Sequence, residues 1–296
     1  MINKKLGSNY NGKSPAFRES TPFARFLAKL AMHIFMWLAV LMVIIPLLVV
    51  IIGSFKTNKE FFNTEVFTLP DKLNIANYKE AFIGGKVLLG LRNTLIIIVI
   101  SCAGTIITGT MTAFVLQRFR TMLSRFIKAA FLLATLLPNI SMQVTVFQIV
   151  NKMGLYDSML APIILYIGTD IISITIFIQF LNNISVSLDE SAIVDGASYP
   201  RIYFSIILPN LLPAIATVLI IKFVGIYNDF YTAQLYMPSK KLGVVSTALY
   251  RFIGPYGAKW EIIFAGIVIC IIPTLIMFLA LQKYIYNGLV SGSVKE

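Results

Sequence analysis

Charged side chains are scarce in this sequence. Asp, Glu, Lys and Arg make up 13% of its 296 residues, against about 25% in a soluble domain. So few charges cannot cover the surface of a water-soluble globule of this length. Histidine occurs once, at His33, and cysteine twice, at Cys102 and Cys270. A single histidine excludes a histidine-based metal or proton site, and His33, near the start of an apolar run, reads as an interfacial residue. Two cysteines, each inside an apolar run, exclude a disulfide framework and, without companion ligands, a metal cluster. No nucleophile, base or metal constellation recurs in the apolar segments, which leaves no catalytic residues to name.

What the chain has instead is long apolar runs. Its residues are 57% hydrophobic and its mean hydropathy is +0.81. No charge falls between Arg92 and Arg118, between Lys128 and Lys152, or between Glu261 and Lys283. Leu30 to Gly53 is a fourth such run, and Met159–Leu181 and Pro213–Met237 are two more that enclose buried-looking charges. A run of about 18 or more apolar residues can cross the hydrocarbon core. The expectation is an all-α membrane protein with six transmembrane helices in a lipid bilayer. Residues 1–27 form a cytoplasmic polar tail, 28–290 the six-span domain with core spans at about 88–284, and 291–296 a cytoplasmic C-terminal tail. The first run is too long for a signal-peptide core and no small-residue cleavage site follows it, so it stays as an anchor.

The net charge of +12 does not point to nucleic acid, because membrane proteins keep Lys and Arg at cytoplasmic borders. The tail carries Lys4, Lys5, Lys13, Arg18, Arg25 and Lys29 against Glu19, and the loop after span two carries Arg118, Arg120, Arg125 and Lys128 with no acid. Six spans put both segments on one side, the cytoplasm, together with both termini. Thr21-Pro22 reads as a helix start, and Pro138-Asn139 as a kink in span three. The outer connection 54–88 has turn signals at Leu69-Pro70 and Gly84-Gly85. The last outer connection reads as a loop with Pro238, Gly243, Gly254, Pro255 and Gly257. Gly7-Ser-Asn-Tyr-Asn-Gly12-Lys13-Ser14 fits the phosphate-loop pattern letter for letter. That pattern needs a strand before it and a helix after it; here a polar tail precedes, Pro15 follows, and no sheet is expected. The chain itself is read as binding no ATP.

One long cytoplasmic connection, 183–212, is left, and it is rich in local signals. Ser187 and Glu190 fit an S-x-x-E capping box, Gly196 ends the helix this starts, and Pro200 opens a second that runs to Pro209. The product is a helix-turn-helix elbow at the membrane surface, with Ala192, Ile193, Tyr203 and Ile207 available for burial. Helices this short are marginal in water and need something to dock against.

This segment resembles the EAA motif of binding-protein-dependent ATP-binding-cassette importers, E-A-A, then D-G-A, then I-x-L-P. Glu190, Ala192, Asp195, Gly196, Ala197 and Pro209 fall at the family's spacing, with Ser191 for the middle alanine and the isoleucine of Ile207-Leu208-Pro209 shifted by one. Pro70, Leu73, Asn77 and Tyr78 resemble the outer P-x-x-L…N-Y element of carbohydrate permeases. Tyr227-Asn228-Asp229-Phe230 resembles their W-N-[ED]-F, and Gln282-Lys283-Tyr284 with Gly288 to Lys295 resembles the tail of the maltose-type second permease. The resemblance implies a six-span type I importer permease in a bacterial cell membrane, half of a translocation path. Its partners would be a second homologous permease subunit, two cytoplasmic ATPase subunits and an extracytoplasmic solute-binding protein. ATP and magnesium would bind the partner ATPase, with no cofactor on this chain, and the cargo would be a sugar or oligosaccharide. A non-sugar solute such as a phospho-polyol or peptide is the alternative within the class, and a secondary transporter the alternative outside it. On this reading the elbow seats in the ATPase; Glu190 either contacts it or completes the capping box, and Gly196 is needed in both cases.

Asp170 and Lys222 are the charges deepest in the spans. Counting residues from the outer end of span four and the inner end of span five puts them roughly 18 Å and 14 Å deep at 1.5 Å per residue, near the midplane of a ~30 Å core. Ionised groups at that depth face a partner or water. Two roles compete: a mutual ion pair, or polar lining of the solute path. Tyr227, Asn228 and Asp229 lie near the outer end of span five, where aromatics and carboxylates suit sugars and where an interfacial aromatic belt is also expected.

Overall fold

The computed structural model describes residues 22–168, 170–254 and 257–293. The 7–14 segment, the Thr21 cap and the last three residues of the tail lie outside the described residues. Helix α1 (Pro22–Ser54) holds the first apolar run. The chain divides at Val49–Val50 into two compact units. The described part of the first is the bulk of α1, whose side chains from Phe23 to Leu48 are exposed wherever they are described. A helix apolar on every face is suited to hydrocarbon, where lipid tails solvate Leu as well as another helix does.

In the second unit, two short helices follow, α2 (Asn58–Asn63) and α3 (Ala76–Gly84). Thr57 and Glu60 form a capping box that starts α2. The Asn-Tyr pair of the outer element ties α3 to the end of α1. Asn77 Nδ2 donates to Ser54 O and Lys56 O at 2.8 Å each, and Tyr78 OH lies 2.7 Å from Ser54 Oγ. Lys56 is buried, its Nζ donating to Thr64 Oγ1 at 2.9 Å and Glu65 O at 2.7 Å.

Helix α4 (Val87–Arg118) is the central post. Against it pack α7 (Leu160–Gly168), α8 (Ile171–Leu181) and α12 (Leu212–Asn228). Close approach to α7 and α8 depends on glycine. A Cβ at Gly104 would lie 2.3 Å from Ile167 Cδ1, and one at Gly109 3.0 Å from the Phe177 ring. Two cores result. One joins Ile97, Cys102, Ile163, Ile226 and Val245, and the other, an inner core beside the elbow, joins Phe114, Phe177, Leu181, Tyr203, Ile207 and Val218.

Four helical segments are long and apolar enough to cross a membrane: Lys29–Ser54, Val87–Arg118, Leu160–Leu181 and Trp260–Ala280 within α15 (Trp260–Ser293). Two bent pairs raise the count to six if each is one span. Helices α5 (Met122–Thr135) and α6 (Asn139–Lys152) meet at 110°, far sharper than a proline kink. Pro138 is the N-cap of α6 with extended ψ, and the chain before a proline is pushed out of the helical region. The second pair, Tyr199–Asn210 and Leu212–Asn228, meets at 69°.

Span five ends earlier than expected. Helix α12 stops at Asn228, with Asp229 extended as its C-cap, and does not run on to Met237. The segment expected as an outer loop is built instead from α13 (Tyr231–Tyr236), α14 (Val245–Ala248) and two 3₁₀ turns, Lys240–Leu242 and Leu249–Phe252. It folds onto α4: Asn93 Nδ2 donates to Lys241 O and Gly243 O at 3.1 and 2.9 Å, and Val245 N to Thr94 Oγ1 at 3.0 Å. Those side chains satisfy backbone groups that burial would otherwise leave unpaired. The expectation of no sheet meets one small exception, the hairpin of β1 (Ile253–Gly254) and β2 (Gly257–Ala258).

Candidate functional site: a helical elbow and a polar chain between helix ends

Helix α9 (Val186–Val194) forms the first arm of the elbow, but its cap differs from the expected one. Ser185 is the N-cap, accepting from Ser187 N at 3.2 Å. Ser187 therefore lies inside the helix, and the Ser187–Glu190 capping box does not form. The Glu190 side chain is exposed and makes no hydrogen bond or ion pair with the described residues. The far end follows expectation. Gly196 has φ +79°, Ala197 N donates to Ala192 O and Gly196 N to Ile193 O, both at 2.9 Å. This is a Schellman closure, which needs a left-handed residue. A Cβ at Gly196 would meet nothing within 4 Å, so the backbone angle alone demands glycine there.

The second arm runs through α10 (Tyr199–Ile202), a π turn at Tyr203–Ile207 and α11 (Leu208–Asn210). The wider turn stands just before Pro209. A proline ring clashes with the carbonyl four residues back in a regular helix, and one π turn relieves that clash. Tyr203 and Ile207 are buried, and Tyr203 OH lies 2.7 Å from Thr110 Oγ1 of α4. Ala192 and Ala197 are half-buried, while Asp195 and Pro209 are exposed. Ile193, expected inside, is 47% exposed and its neighbour Val194 87%.

Two functional-site contacts escape a reading of sequence alone. Arg118 Nε of α4 lies 2.5 Å from Asp189 Oδ2, both side chains nearly buried, and another Arg118 nitrogen donates to Ile184 O at 3.1 Å. Asp189 sits beside Glu190 in sequence and has no local signal of its own. The neighbouring Gln117 donates to Asn182 Oδ1 and accepts from Lys128 Nζ. The other such residue is Tyr166.

Asp170 and Lys222 do meet: Lys222 Nζ lies 2.8 Å from Asp170 Oδ2. The pair sits where span four is interrupted. Helix α7 ends at Gly168 and α8 starts at Ile171 with Asp170 as N-cap, its carboxylate accepting from Ser173 N at 3.1 Å and from the Ser173 hydroxyl. Lys222 also donates to Tyr166 O in the last turn of α7. A cation thus meets the C-terminal end of one half-helix and an anion the N-terminal start of the next, each complementing the local dipole. Tyr166 extends the chain outward, its OH donating to Asp229 Oδ2 at 2.8 Å, while Asp229 Oδ1 accepts from Thr232 N at 2.9 Å.

Tyr227 and Asn228 lie elsewhere. They line a cavity of about 580 Å³ between α12, the folded outer segment and α15, with Phe230, Ser246, Thr274 and Phe278 among its walls. Tyr227 stacks on Phe223 at 5.6 Å and donates to Cys270 O at 2.8 Å. Of the five path candidates, two face this cavity, and Asp170, Lys222 and Asp229 belong to the separate bonded chain.

Residues 104–290 match the family described as binding-protein-dependent transport system inner membrane component. The chain is 31% identical over 259 residues to the probable starch degradation products transport system permease protein AmyC of Thermoanaerobacterium thermosulfurigenes, covering 85% of this chain and 91% of that one. It is 29% identical over 276 residues to the galactooligosaccharides transport system permease protein GanQ of Bacillus subtilis, covering 92% and 97%. In fold it superposes with TM-score 0.79 on a chain of a bacterial ABC transporter involved in import of the acidic polysaccharide alginate, at 19% identity over 90% of this chain and 98% of that one. With these matches added to the elbow and the spans, the chain belongs to the binding-protein-dependent transport permeases and is a multi-pass membrane protein.

Proposed function

We propose that the chain is one of two membrane subunits of an ATP-driven, binding-protein-dependent importer for a sugar or oligosaccharide. Both termini and the 185–213 elbow face the cytoplasm of a bacterial cell, and a separate ATPase pair, carrying ATP and magnesium, seats the elbow. The observation that carries this reading is the tip of the elbow. Glu190 and Asp195 offer carboxylates there that are unpaired among the described residues, beside exposed Leu188, Ile193 and Val194. An exposed apolar patch rimmed by charge, next to a tightly specified turn, is suited to a protein partner. The sugar assignment leans on the permeases for starch products and galactooligosaccharides that the chain resembles. Tyr227 and Asn228 fit it chemically: an aromatic wall takes the apolar face of a pyranose and an amide its hydroxyls.

The test uses the turn. Asn tolerates the left-handed region and Val does not. Gly196→Asn should keep uptake and keep the ATPase in the purified complex; Gly196→Val should lose both while the chain still reaches the membrane. Equal uptake by the two variants would refute docking through the elbow.

A further inference from the structure

We propose that Arg118 and Asp189 are positioning residues that carry displacement of the elbow into span two. The proposal rests on the reading of the elbow as the ATPase dock, and names the joint through which that dock acts.

Helix α9 is held in an unusual way. Asp189 is its one buried side chain. Ala192 alone of its apolar residues packs against the inner core, while Leu188, Ile193 and Val194 are exposed, so the ion pair is the polar tie between this arm and the membrane body. Its two ends are both well placed. Arg118 lies in the last turn of α4 and Asp189 in the first turn of α9, so each charge complements its own helix end as well as the other charge. Arg118 also holds Ile184 O, one residue before the Ser185 cap. The arginine therefore grips both sides of the start of α9. Through Gln117, the same end of α4 touches Asn182 at the C-cap of α8 and Lys128 on α5. Three spans and the elbow converge there.

The tie is also of a kind that can move. Neither Arg118 Nε nor the other oxygen of Asp189, Oδ1, has an aligned hydrogen bond among the described residues. The attraction at 2.5 Å is chiefly of charge for charge, which survives a change of angle that would break a directional hydrogen bond. When the ATPase tilts α9, the pair acts as a pivot and draws the cytoplasmic end of α4 with it. Without the pair, α9 could tilt while α4 stayed behind.

The experiment is solute moved per ATP hydrolysed, by the whole importer in proteoliposomes. Asp189→Ala and Arg118→Met should each leave the ATPase bound and hydrolysing, with the ratio reduced ~tenfold, within the usual range of coupling between sites. Asp189→Glu should restore most of it, and the double variant should be no worse than either single one. A purely structural role would lower uptake and hydrolysis together, in step with the complex assembled. An unchanged ratio in Asp189→Ala, release of the ATPase, or failure of Asp189→Glu to rescue would overturn the proposal. ATPase binding to the unaltered chain and to Gly196→Val tests the docking reading separately.

Discussion

The Asp170–Lys222 pair invites a double-mutant cycle whose outcome can be worked out in advance. Both side chains are only 11–13% exposed, so solvent screening is slight. Removing one partner from a buried pair typically costs about 3–5 kcal/mol. The loss should be smaller here, because each charge keeps a second anchor. In Lys222→Met, Asp170 retains Ser173 and the start of α8. In Asp170→Asn, Lys222 retains the Tyr166 carbonyl, and Asn still caps a helix well. About 2–3 kcal/mol per single change is therefore expected. For chains of 150–250 residues that corresponds to about 2–4 °C per kcal/mol. The double variant removes both charges and should lose little more than either single, giving a coupling of about 2 kcal/mol. Cys102, buried, and Cys270, half-buried, supply the readout: a thiol-reactive dye reports their exposure as purified protein is heated. Losses that simply add in the double variant would refute the pair as a structural latch. Shifts in apparent sugar affinity without loss of stability would point to the path instead.

Gly109→Val places a branched side chain against the Phe177 ring, where even a Cβ lies 3.0 Å away. It should lower thermal stability by about 1–3 kcal/mol as an overpacking change, whereas Gly168→Ala, with open space around it, should be near neutral by the same measurement. In the connection after α6, the Ser239 hydroxyl and amide hold the Asp157 carboxyl below the usual carboxylate range. A lowered native pKa stabilises fully above the unfolded value, near 4, and that gain fades as pH falls through the native one. Asp157→Asn should accordingly lower stability at neutral pH, where that contribution is full, and flatten the acid side of the stability–pH curve as the two proteins converge there.

Much of this arrangement is legible from residue types alone, and what is not has definite physical causes. Apolar runs announce the spans, because hydrocarbon demands them whatever the tertiary contacts. Gly196 announces the turn, because its backbone angle excludes most other residues. The expected capping box is misplaced by two residues because Ser185 and Ser187 are equally good caps and only the approach of the chain from Asn182 chooses between them. Span five is expected too long because Phe230–Met237 carries no charge to mark its end. What ends α12 is Asp229 bonding to Tyr166 across 63 positions of sequence, a partner that no local pattern reveals. Asp189 is passed over beside the motif residue Glu190 for the same reason: its significance lies in Arg118, at the far end of another helix.

The interrupted span four also bears on how the chain is made. Lys222 leaves the ribosome about 50 residues after Asp170, a delay of a few seconds at ~5–20 residues per second. During that interval the carboxyl-bearing segment must enter the bilayer without its counter-ion. A central acid costs about 2.5–3.5 kcal/mol on insertion, as does a central lysine, while each Leu, Ile or Phe returns about 0.3–0.6. Leu160–Leu181 carries about a dozen such residues, worth some 4–7 kcal/mol on that scale. That sum is of the size needed to offset the cost of Asp170. The density of isoleucine around the break thus serves biosynthesis as well as packing, since it lets the first half of the latch wait in the membrane for the second.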